Sequence, residues 1–174
     1  MPGVASYCGA SSRKNPKLVR LRTARVIERP AAQVFEYIAD YRRLTEWVFG
    51  ITGVRAVSAL DYGLSAVYEG SVDLGPKTLS STARICGWEQ DRLIALESLA
   101  GFEFTATLRM RDESATRTAI ELDLVYGTSG GIAARAIARG LEPLLAMAAR
   151  HTTEKLCSSC AKAIAPNGNQ KGAG

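Results

Sequence analysis

The sequence predicts an α+β domain in which a curved antiparallel sheet of six to seven strands wraps around one long C-terminal helix. Three observations predict this fold. One strand and two short helical segments come first, strand-like segments fill residues 51–126, and a helical segment runs from about residue 132 to 163. The strand-like segments are joined by short links, which favour antiparallel neighbours because parallel pairing needs a crossover of a dozen or more residues.

The chain of 174 residues has the length of one domain with short extensions. Residues 1–16 are a basic mixture of Gly, Ser and Pro, and residues 166–174 read PNGNQKGAG, so we expect both ends to be disordered. The folded domain is predicted over residues 17–165. Residues 1–15 contain no apolar segment that ends in a cleavable small-residue site, so no secretory signal is expected, and no apolar run is long enough to cross a membrane. These features predict a cytoplasmic protein.

The first elements follow from local patterns. Apolar and polar residues alternate over Lys17–Glu28, which indicates a strand. Pro30 stands where the first turn of a helix tolerates proline, and Val34 begins the helical spacing of the segment AAQVFEYIAD. A second short helical segment carries Trp47 and ends at Gly50.

The strands of residues 51–126 have one apolar and one polar face, as in a sheet that is covered on one side only. Several inward positions are small, and the covering helix is rich in alanine. These inward candidates are Ala66, Gly70, Ala83, Ala95 and Ala106. Small residues on both walls leave volume unfilled, so we predict an apolar cavity between sheet and helix. Close packing of the helix on the sheet is the alternative.

The C-terminal helix contains a weak point. Pro143 lacks the N–H that would bond to the carbonyl of Arg139, and Gly140 lies close by. We therefore expect a kink or an interruption there.

The run ARVIERPAAQVFEYIADYRRLTEW, with the later glycine-punctuated strands and the helix after TSGG, resembles the START and polyketide-cyclase superfamily. That group is also called SRPBCC or helix-grip and includes the birch-pollen-allergen-like proteins. The resemblance covers about Leu18 to Ala163. It implies the helix-grip fold, with a deep hydrophobic cavity that members use for lipids, polyketides, steroids or other bulky apolar molecules. Some members are aromatase/cyclases, some transfer lipids and others regulate partners.

The favoured hypothesis is a non-catalytic protein that binds or carries a bulky hydrophobic small molecule. The alternative is an aromatase/cyclase that acts on a polyketide-like substrate through Tyr68, Tyr126, Arg84 or His151. It requires at least two of these side chains to converge within about 4–6 Å. The chain has no nucleophile elbow, no phosphate-binding glycine loop and no paired metal-ligand motif, so neither a cofactor nor a metal is expected.

Nine residues are predicted to bind the ligand: Trp47, Tyr68, Phe102, Phe104, Leu122, Tyr126, Leu141, Leu144 and His151. A tyrosine hydroxyl in such a site either orients a ligand oxygen or reaches a backbone carbonyl. His151 follows Ala148 by three residues and is placed on the buried stripe of the helix, either as a packing residue or as a proton-exchanging group. Trp47 and Phe49 either border the cavity mouth or cap the core.

The inward face of the strand over residues 77–88 is ambiguous. Apolar content favours Leu79 and Ile85 inside, which leaves Arg84 at the surface, but the opposite parity would bury Arg84 as an anion-binding group. Glu97 either points into the cavity with a raised pKa or reaches water. Glu121 and Asp123 share one outward face with the arginines of the preceding strand, which indicates cross-strand charge pairing.

Charge distribution and cysteine placement limit the classes of partner and chemistry that the sequence predicts. The formal net charge is +5, but residues 1–29 hold seven basic groups against one acidic group, and the remaining 15 basic and 16 acidic groups nearly balance. The body therefore has no nucleic-acid-binding stripe. Cys157 and Cys160 stand in a helix rather than at a redox-type helix start, which predicts an incidental or structural thiol pair. A homodimer, transient membrane contact and a protein partner on Arg20, Arg22 and Arg25 are left open.

Overall fold

A computed structural model describes residues 18–127 and 132–163, and for residues 132–139 only the helical backbone. Both predicted disordered ends, residues 1–16 and 166–174, lie outside the described residues. The elements follow the predicted order. They are β1 (Val19–Ile27), α1 (Ala31–Ala39), a 3-10 turn (Tyr41–Arg43), α2 (Leu44–Trp47), β2 (Ile51–Ala56), β3 (Val67–Asp73), β4 (Thr78–Glu89), β5 (Leu93–Gly101), β6 (Phe104–Ser114), β7 (Arg117–Tyr126) and α3 (Ile132–Ala163).

The seven strands form one antiparallel sheet in the order β1-β7-β6-β5-β4-β3-β2. Strands β2 to β7 pair with their neighbours in the chain, whereas β1 pairs with the last strand, β7. The two short helices follow β1 and the long helix follows β7, which is the predicted α+β helix-grip architecture. This arrangement confirms the predicted fold.

Two glycines make turns that other residues would strain. Gly50, after α2, has a φ of 75°, and a Cβ there would collide with the backbone carbonyl of Asp73. Gly101, at the end of β5, has a φ of 83°, and a Cβ there would collide with the carbonyl of Ser80. Both backbones are left-handed and closely packed, so both turns require glycine.

The inner face of the sheet is the one that meets the helices, and its parity follows from the register. In β4, Leu79, Ala83 and Ile85 face inward, as the apolar content favours. In β5 the prediction for Ala95 is wrong. Ala95 lies opposite Thr107 on the outer face, whereas its neighbour Leu96 lies opposite the inward Ala106.

The outer face carries a ladder of cross-strand ion pairs, because opposite charges occupy facing or diagonal positions of neighbouring strands. The pairs are Arg55–Glu69, Arg84–Glu97, Arg109–Glu121 and Arg20–Asp123. These pairs make much of the outer face polar, whereas most of the apolar side chains of the sheet lie on the inner face.

Helix α3 lies over β1 and α2 and continues through Pro143 without the interruption that the sequence suggested. The Sγ atom of Cys157 approaches the carbonyl oxygen of Val26 in β1 at 3.9 Å. The side-chain hydroxyl of Thr152 accepts a hydrogen bond from the backbone N–H of Phe49 at 3.0 Å. These contacts join the C-terminal half of the helix to the edge strand and to the α2 region.

The buried apolar residues divide into two clusters. The first cluster joins α1, Trp47 and the C-terminal half of α3 to the sheet, and its members Ile27, Phe35 and Ile120 are at most 2% exposed. The second cluster is smaller and surrounds Tyr126. Its buried members are Leu74, Tyr126, Leu141, Leu145 and Ala148.

Candidate ligand site on the inner face

The inner face between the two clusters is built from small residues. Gly70 lies opposite Ser81, Ala83 lies opposite Ser98, and Ala106 lies opposite Leu96. None of the small residues in these pairs belongs to either apolar cluster. The described sheet therefore has a strip of short side chains across β3 to β6, where the two clusters do not join.

Apolar side chains beside this strip are only half-buried although they point inward. They belong to strands β1, β3, β4, β6 and β7 and to α3, and all of them pack against the second cluster. The set comprises Val19, Leu21, Val72, Leu79, Phe104, Leu124 and Leu144. The inner face is therefore covered completely at the first cluster and only in part at the second.

The predicted ligand residues divide between the clusters. Trp47, Tyr68 and Leu122 belong to the first cluster. Five others belong to the second cluster or pack against it, namely Phe102, Phe104, Tyr126, Leu141 and Leu144. The structure thus brings five of the nine predicted residues together.

Three aromatic rings form one wall of the second cluster. The rings of Phe102 and Phe104 are stacked with centroids 6.2 Å apart and an interplanar angle of 22°. The Tyr126 ring lies 5.9 Å from Phe102 at an angle of 36°. Register explains the grouping, because Phe104 is directly opposite Tyr126 on the neighbouring strand. Such a wall suits contact with flat apolar groups.

Tyr126 also carries an unsatisfied polar atom. Its side chain is 2% exposed, and its hydroxyl has no hydrogen-bond partner among the described residues. Burial raises the pKa of Tyr126, and the carboxylate of Glu142 on α3 raises it further. The hydroxyl therefore stays protonated at neutral pH.

The hydroxyl of Tyr68 reaches a backbone carbonyl, which is one of the two roles that the sequence left open. Its hydroxyl donates to the backbone carbonyl of Asp61 at 2.8 Å, and its ring lies 5.1 Å from that of Tyr41. Burial, followed by the nearby Asp61 carboxylate, raises the pKa of Tyr68 to about 12. The hydroxyl is occupied in holding the loop before β3.

The placement of His151 on the buried stripe is wrong. Its side chain is 49% exposed and lies 3.4 Å from the carboxylate of Glu154, one turn further along α3. Its ring stacks on Phe49 at 5.2 Å. The buried stripe follows Ala148, Thr152 and Leu156 instead, so His151 lies on the flank of the helix.

Trp47 is almost fully buried in the first cluster, and its indole N–H has no partner among the described residues. Phe49 is half-buried against the second cluster. The chain between these two residues therefore passes from one cluster to the other.

Arg84 and Glu97 lie on the outer face and pair with each other, as apolar content favoured for Arg84. With His151 exposed and the Tyr68 hydroxyl bonded to a backbone carbonyl, the four groups named for cyclase chemistry do not converge. Of these four, only Tyr126 presents an unpartnered polar atom to the second cluster. The cyclase hypothesis loses the set of residues on which it depended.

Asp123 behaves differently from the expected solvated pair. Its side chain is only 4% exposed, and its carboxylate lies between Arg20 at 2.9 Å, Arg22 at 3.5 Å and Arg109 at 3.9 Å. The cross-strand pairing is as predicted, but the arginine side chains cover the carboxylate. Arg25, the third basic residue of β1, pairs with Glu154 on α3 at 3.4 Å.

Sequence reasoning missed one feature, a groove of about 570 Å³ that crosses β2 to β5. Glycines at neighbouring positions create it. Its lining comprises Thr52, Gly53, Val54, Arg55, Glu69, Gly70, Ser71, Ser80, Ser81, Thr82, Ala100 and Gly101. Its polar groups bond to one another, as in the Ser71–Ser80 hydroxyl pair at 2.8 Å and the Arg55–Glu69 ion pair, so few remain for a ligand.

The thiols of the Cys-Ser-Ser-Cys segment lie inside the fold. Cys160 is fully buried and Cys157 is half-buried. Burial raises the pKa of Cys157 and raises that of Cys160 to about 11. Among the described residues no cluster of three or more His, Cys, Asp and Glu side chains has the arrangement of a metal site. Within the same residues, no helix combines the length and apolarity needed to span a membrane.

Comparison with known proteins agrees with this architecture. Residues 19–156 match the sequence model of the polyketide cyclase / dehydrase and lipid transport family, which is most of the chain. The protein therefore belongs to this family. None of the curated proteins searched matches the chain significantly.

Several solved structures share the fold at low sequence identity. The Zhui aromatase/cyclase from Streptomyces sp. R1128 superposes with a TM-score of 0.75 at 16% identity, covering 87% of this chain and 99% of that one. A START superfamily protein from Mycobacterium smegmatis gives 0.69 at 11% identity, with coverage of 83% and 98%. Ara h 8.0201 gives 0.58 at 10% identity, with coverage of 83% and 99%. These likenesses show that the chain has the helix-grip fold.

Proposed function

We propose that the protein binds a bulky hydrophobic small molecule, such as a lipid or polyketide, between the inner face of the sheet and α3. The observation that carries the proposal is the half-open inner face. Inward apolar side chains such as Leu21, Phe104 and Leu124 keep part of their surface accessible beside a strip of small residues. Accessible apolar surface on an inner face is surface that a bound ligand can cover.

The free energy available to a ligand follows from that surface. Each Å² of apolar surface removed from water contributes roughly 25 cal/mol, so a ligand that covers several half-buried side chains gains several kcal/mol. Ion pairs such as Arg84–Glu97 make much of the outer face polar and therefore less favourable for a hydrophobic molecule. A hydrophobic molecule is therefore directed to the inner face.

The family supports the same function, because its description joins lipid transport to polyketide cyclase and dehydrase activities. Binding a hydrophobic molecule is common to these activities. We favour binding or carriage without catalysis, because Arg84 and His151, two of the groups suggested for catalysis, lie away from the inner face.

A cavity-filling variant tests the proposal. Ala106 is half-buried on the inner face, opposite Leu96 and Leu124, whereas Ala119 on β7 faces outward opposite Arg111. The affinity of an apolar fluorescent probe is measured by titration, and its displacement by lipids and polyketide-like compounds follows. Ala106→Leu should weaken binding at least tenfold with little change in thermal stability, and Ala119→Leu should leave binding unchanged.

Two results would contradict the proposal. One is the lack of saturable binding of any apolar probe by the wild-type protein. The other is an equal loss of affinity in both variants, which would locate the probe away from the inner face.

A further inference from the structure

Resting on the proposed function, we infer that the Tyr126 hydroxyl is the polar anchor of the ligand site and donates a hydrogen bond to an oxygen atom of the bound molecule. The ligand class is therefore narrower than apolar molecules in general. It is a ring-containing hydrophobic compound with a carbonyl or hydroxyl oxygen.

Three buried tyrosines differ in whether their hydroxyls have hydrogen-bond partners. The hydroxyl of Tyr37 donates to Glu46 at 2.7 Å, and that of Tyr68 donates to the carbonyl of Asp61 at 2.8 Å. The hydroxyl of Tyr126, on the least exposed of the three side chains, has no partner in the described part of the chain. A buried polar group left without a partner costs about 1–3 kcal/mol, so a native structure retains one where something else satisfies it.

The Tyr126 hydroxyl is the donor of the hydrogen bond that it would form with a ligand. The pKa of Tyr126 is raised by burial and by Glu142, so the group is a protonated phenol at neutral pH. Its neighbours in the second cluster, Leu141 and Leu145, offer no acceptor from their side chains. A phenol O–H without a partner pairs with an acceptor such as a carbonyl or hydroxyl oxygen of a bound molecule.

A ligand reaches the Tyr126 hydroxyl only past the turn of α3 that covers it. The part of α3 over Tyr126 holds Gly140 and Pro143, and Pro143 cannot donate the backbone hydrogen bond that a helix normally makes there. Leu144 in the same turn is only half-buried. The turn of α3 over the phenol therefore lacks one backbone hydrogen bond, so a small shift of that turn would let a ligand reach the hydroxyl.

The aromatic rings beside the Tyr126 hydroxyl determine which shape of ligand fits there. The Tyr126 ring continues the wall made by Phe102 and Phe104, and the three rings are inclined by 22° and 36°. A flat ring gains contact along such a wall, whereas a flexible chain loses rotational freedom when it is ordered there. A donor at one end of a flat wall thus matches a ring that bears an oxygen.

A pair of near-isosteric probes tests the inference. Fluorenone carries a carbonyl where fluorene carries a methylene group, so the two differ mainly in the acceptor. Their affinities are measured by displacement of a fluorescent probe from the full chain, for wild type and Tyr126→Phe. Tyr68→Phe is the matched control, because its hydroxyl is bonded within the protein.

Wild type should bind fluorenone about 3- to 10-fold more tightly than fluorene, as expected for one hydrogen bond. Tyr126→Phe should abolish that preference by weakening fluorenone binding alone, and Tyr68→Phe should keep it. Circular dichroism confirms the folded fraction of each variant.

A preference that persists in Tyr126→Phe, or equal affinities in wild type, would overturn the inference. The proposed function would still stand if fluorene binds saturably and Ala106→Leu weakens its binding. If neither compound binds wild type saturably, both the inference and the proposed function fail.

Discussion

The hydroxyl oxygens of Thr23 in β1 and Thr153 in α3 lie 3.1 Å apart and share a hydrogen bond between the edge strand and the long helix. Thr153 donates its own proton to the carbonyl of Arg150 at 2.9 Å, so Thr23 is the donor of the pair. Because Thr153 is 1% exposed, this bond is shielded from water. It links the helix to the part of the sheet that pairs β1 with β7.

We expect the two threonines to be energetically coupled. A double-mutant cycle of Thr23→Val and Thr153→Val should give a coupling free energy of about 0.5–1.5 kcal/mol in urea unfolding, because valine keeps the shape and removes the hydroxyl. Thr52→Val combined with Thr153→Val is the control, and it should be additive within about 0.5 kcal/mol. Additivity of the Thr23 pair would show that the contact does not stabilise the protein.

The buried carboxylate of Asp123 gives a second prediction. Asp123→Asn should lower the free energy of unfolding by about 2 kcal/mol, because Arg20 loses the charged acceptor of its hydrogen bond and Arg22 loses its ion-pair partner. Glu121→Gln, on the same face but 48% exposed, should change it by less than about 0.5 kcal/mol. Chemical denaturation measures both, and equal effects would contradict the covered environment of Asp123.

Tyr37 predicts a loss of stability at alkaline pH. Burial and the hydrogen bond to Glu46 raise the pKa of Tyr37 from 10.0 to about 12 in the folded protein. The folded state then holds the proton more tightly than the unfolded state. The resulting stability is fully present below pH 10 and is lost as the pH rises through about 12.

The unfolding free energies of wild type and Tyr37→Phe should therefore differ by a constant amount below pH 10. Between pH 10 and 12, wild type should lose on the order of 1–2 kcal/mol of stability relative to Tyr37→Phe. Glu46→Gln removes the negative charge and should narrow the pH range of this change. A difference that is independent of pH up to 12 would contradict the prediction.

Cys160 should be unreactive in the native protein. Its side chain is fully buried and its pKa is raised to about 11, so few thiolates form at pH 8 and reagents cannot reach them. Alkylation by iodoacetamide, mapped by mass spectrometry, should modify half-buried Cys157 before Cys160. In denaturant both should react at similar rates. Early modification of native Cys160 would show that this end of α3 opens readily.

The sequence was sufficient for the element order and for most of the sheet faces. Alternation in β6 and β7 is a local property, so Phe104 and Tyr126 could be assigned to one face directly. The assignment was wrong at Ala95, because both parities of β5 are apolar, with Leu93 and Ala95 on one face and Ile94 and Leu96 on the other. Which of two apolar faces points inward depends on how the strand pairs with its neighbours, which the strand does not reveal alone.

The candidate site was predictable in composition but not in arrangement. Helical spacing placed His151 close to the buried stripe, yet a small rotation of α3 on the sheet decides which flank is exposed, and His151 lies on the exposed one. Likewise, the sequence indicated that Asp123 pairs with arginines, whereas its burial depends on three side chains from two neighbouring strands.

The sequence alone determined that one apolar sheet face would meet one long helix, because periodicity and turn residues act within a few positions along the chain. Only the tertiary structure decided where the helix covers the apolar face of the sheet completely. Contacts between Thr23 and Thr153 or around Phe35 close one end, and small residues such as Gly70 and Ala106 leave the inner face half-open beside Tyr126. Closure depends on distances between elements remote in sequence, and those distances follow from the packing of the whole domain.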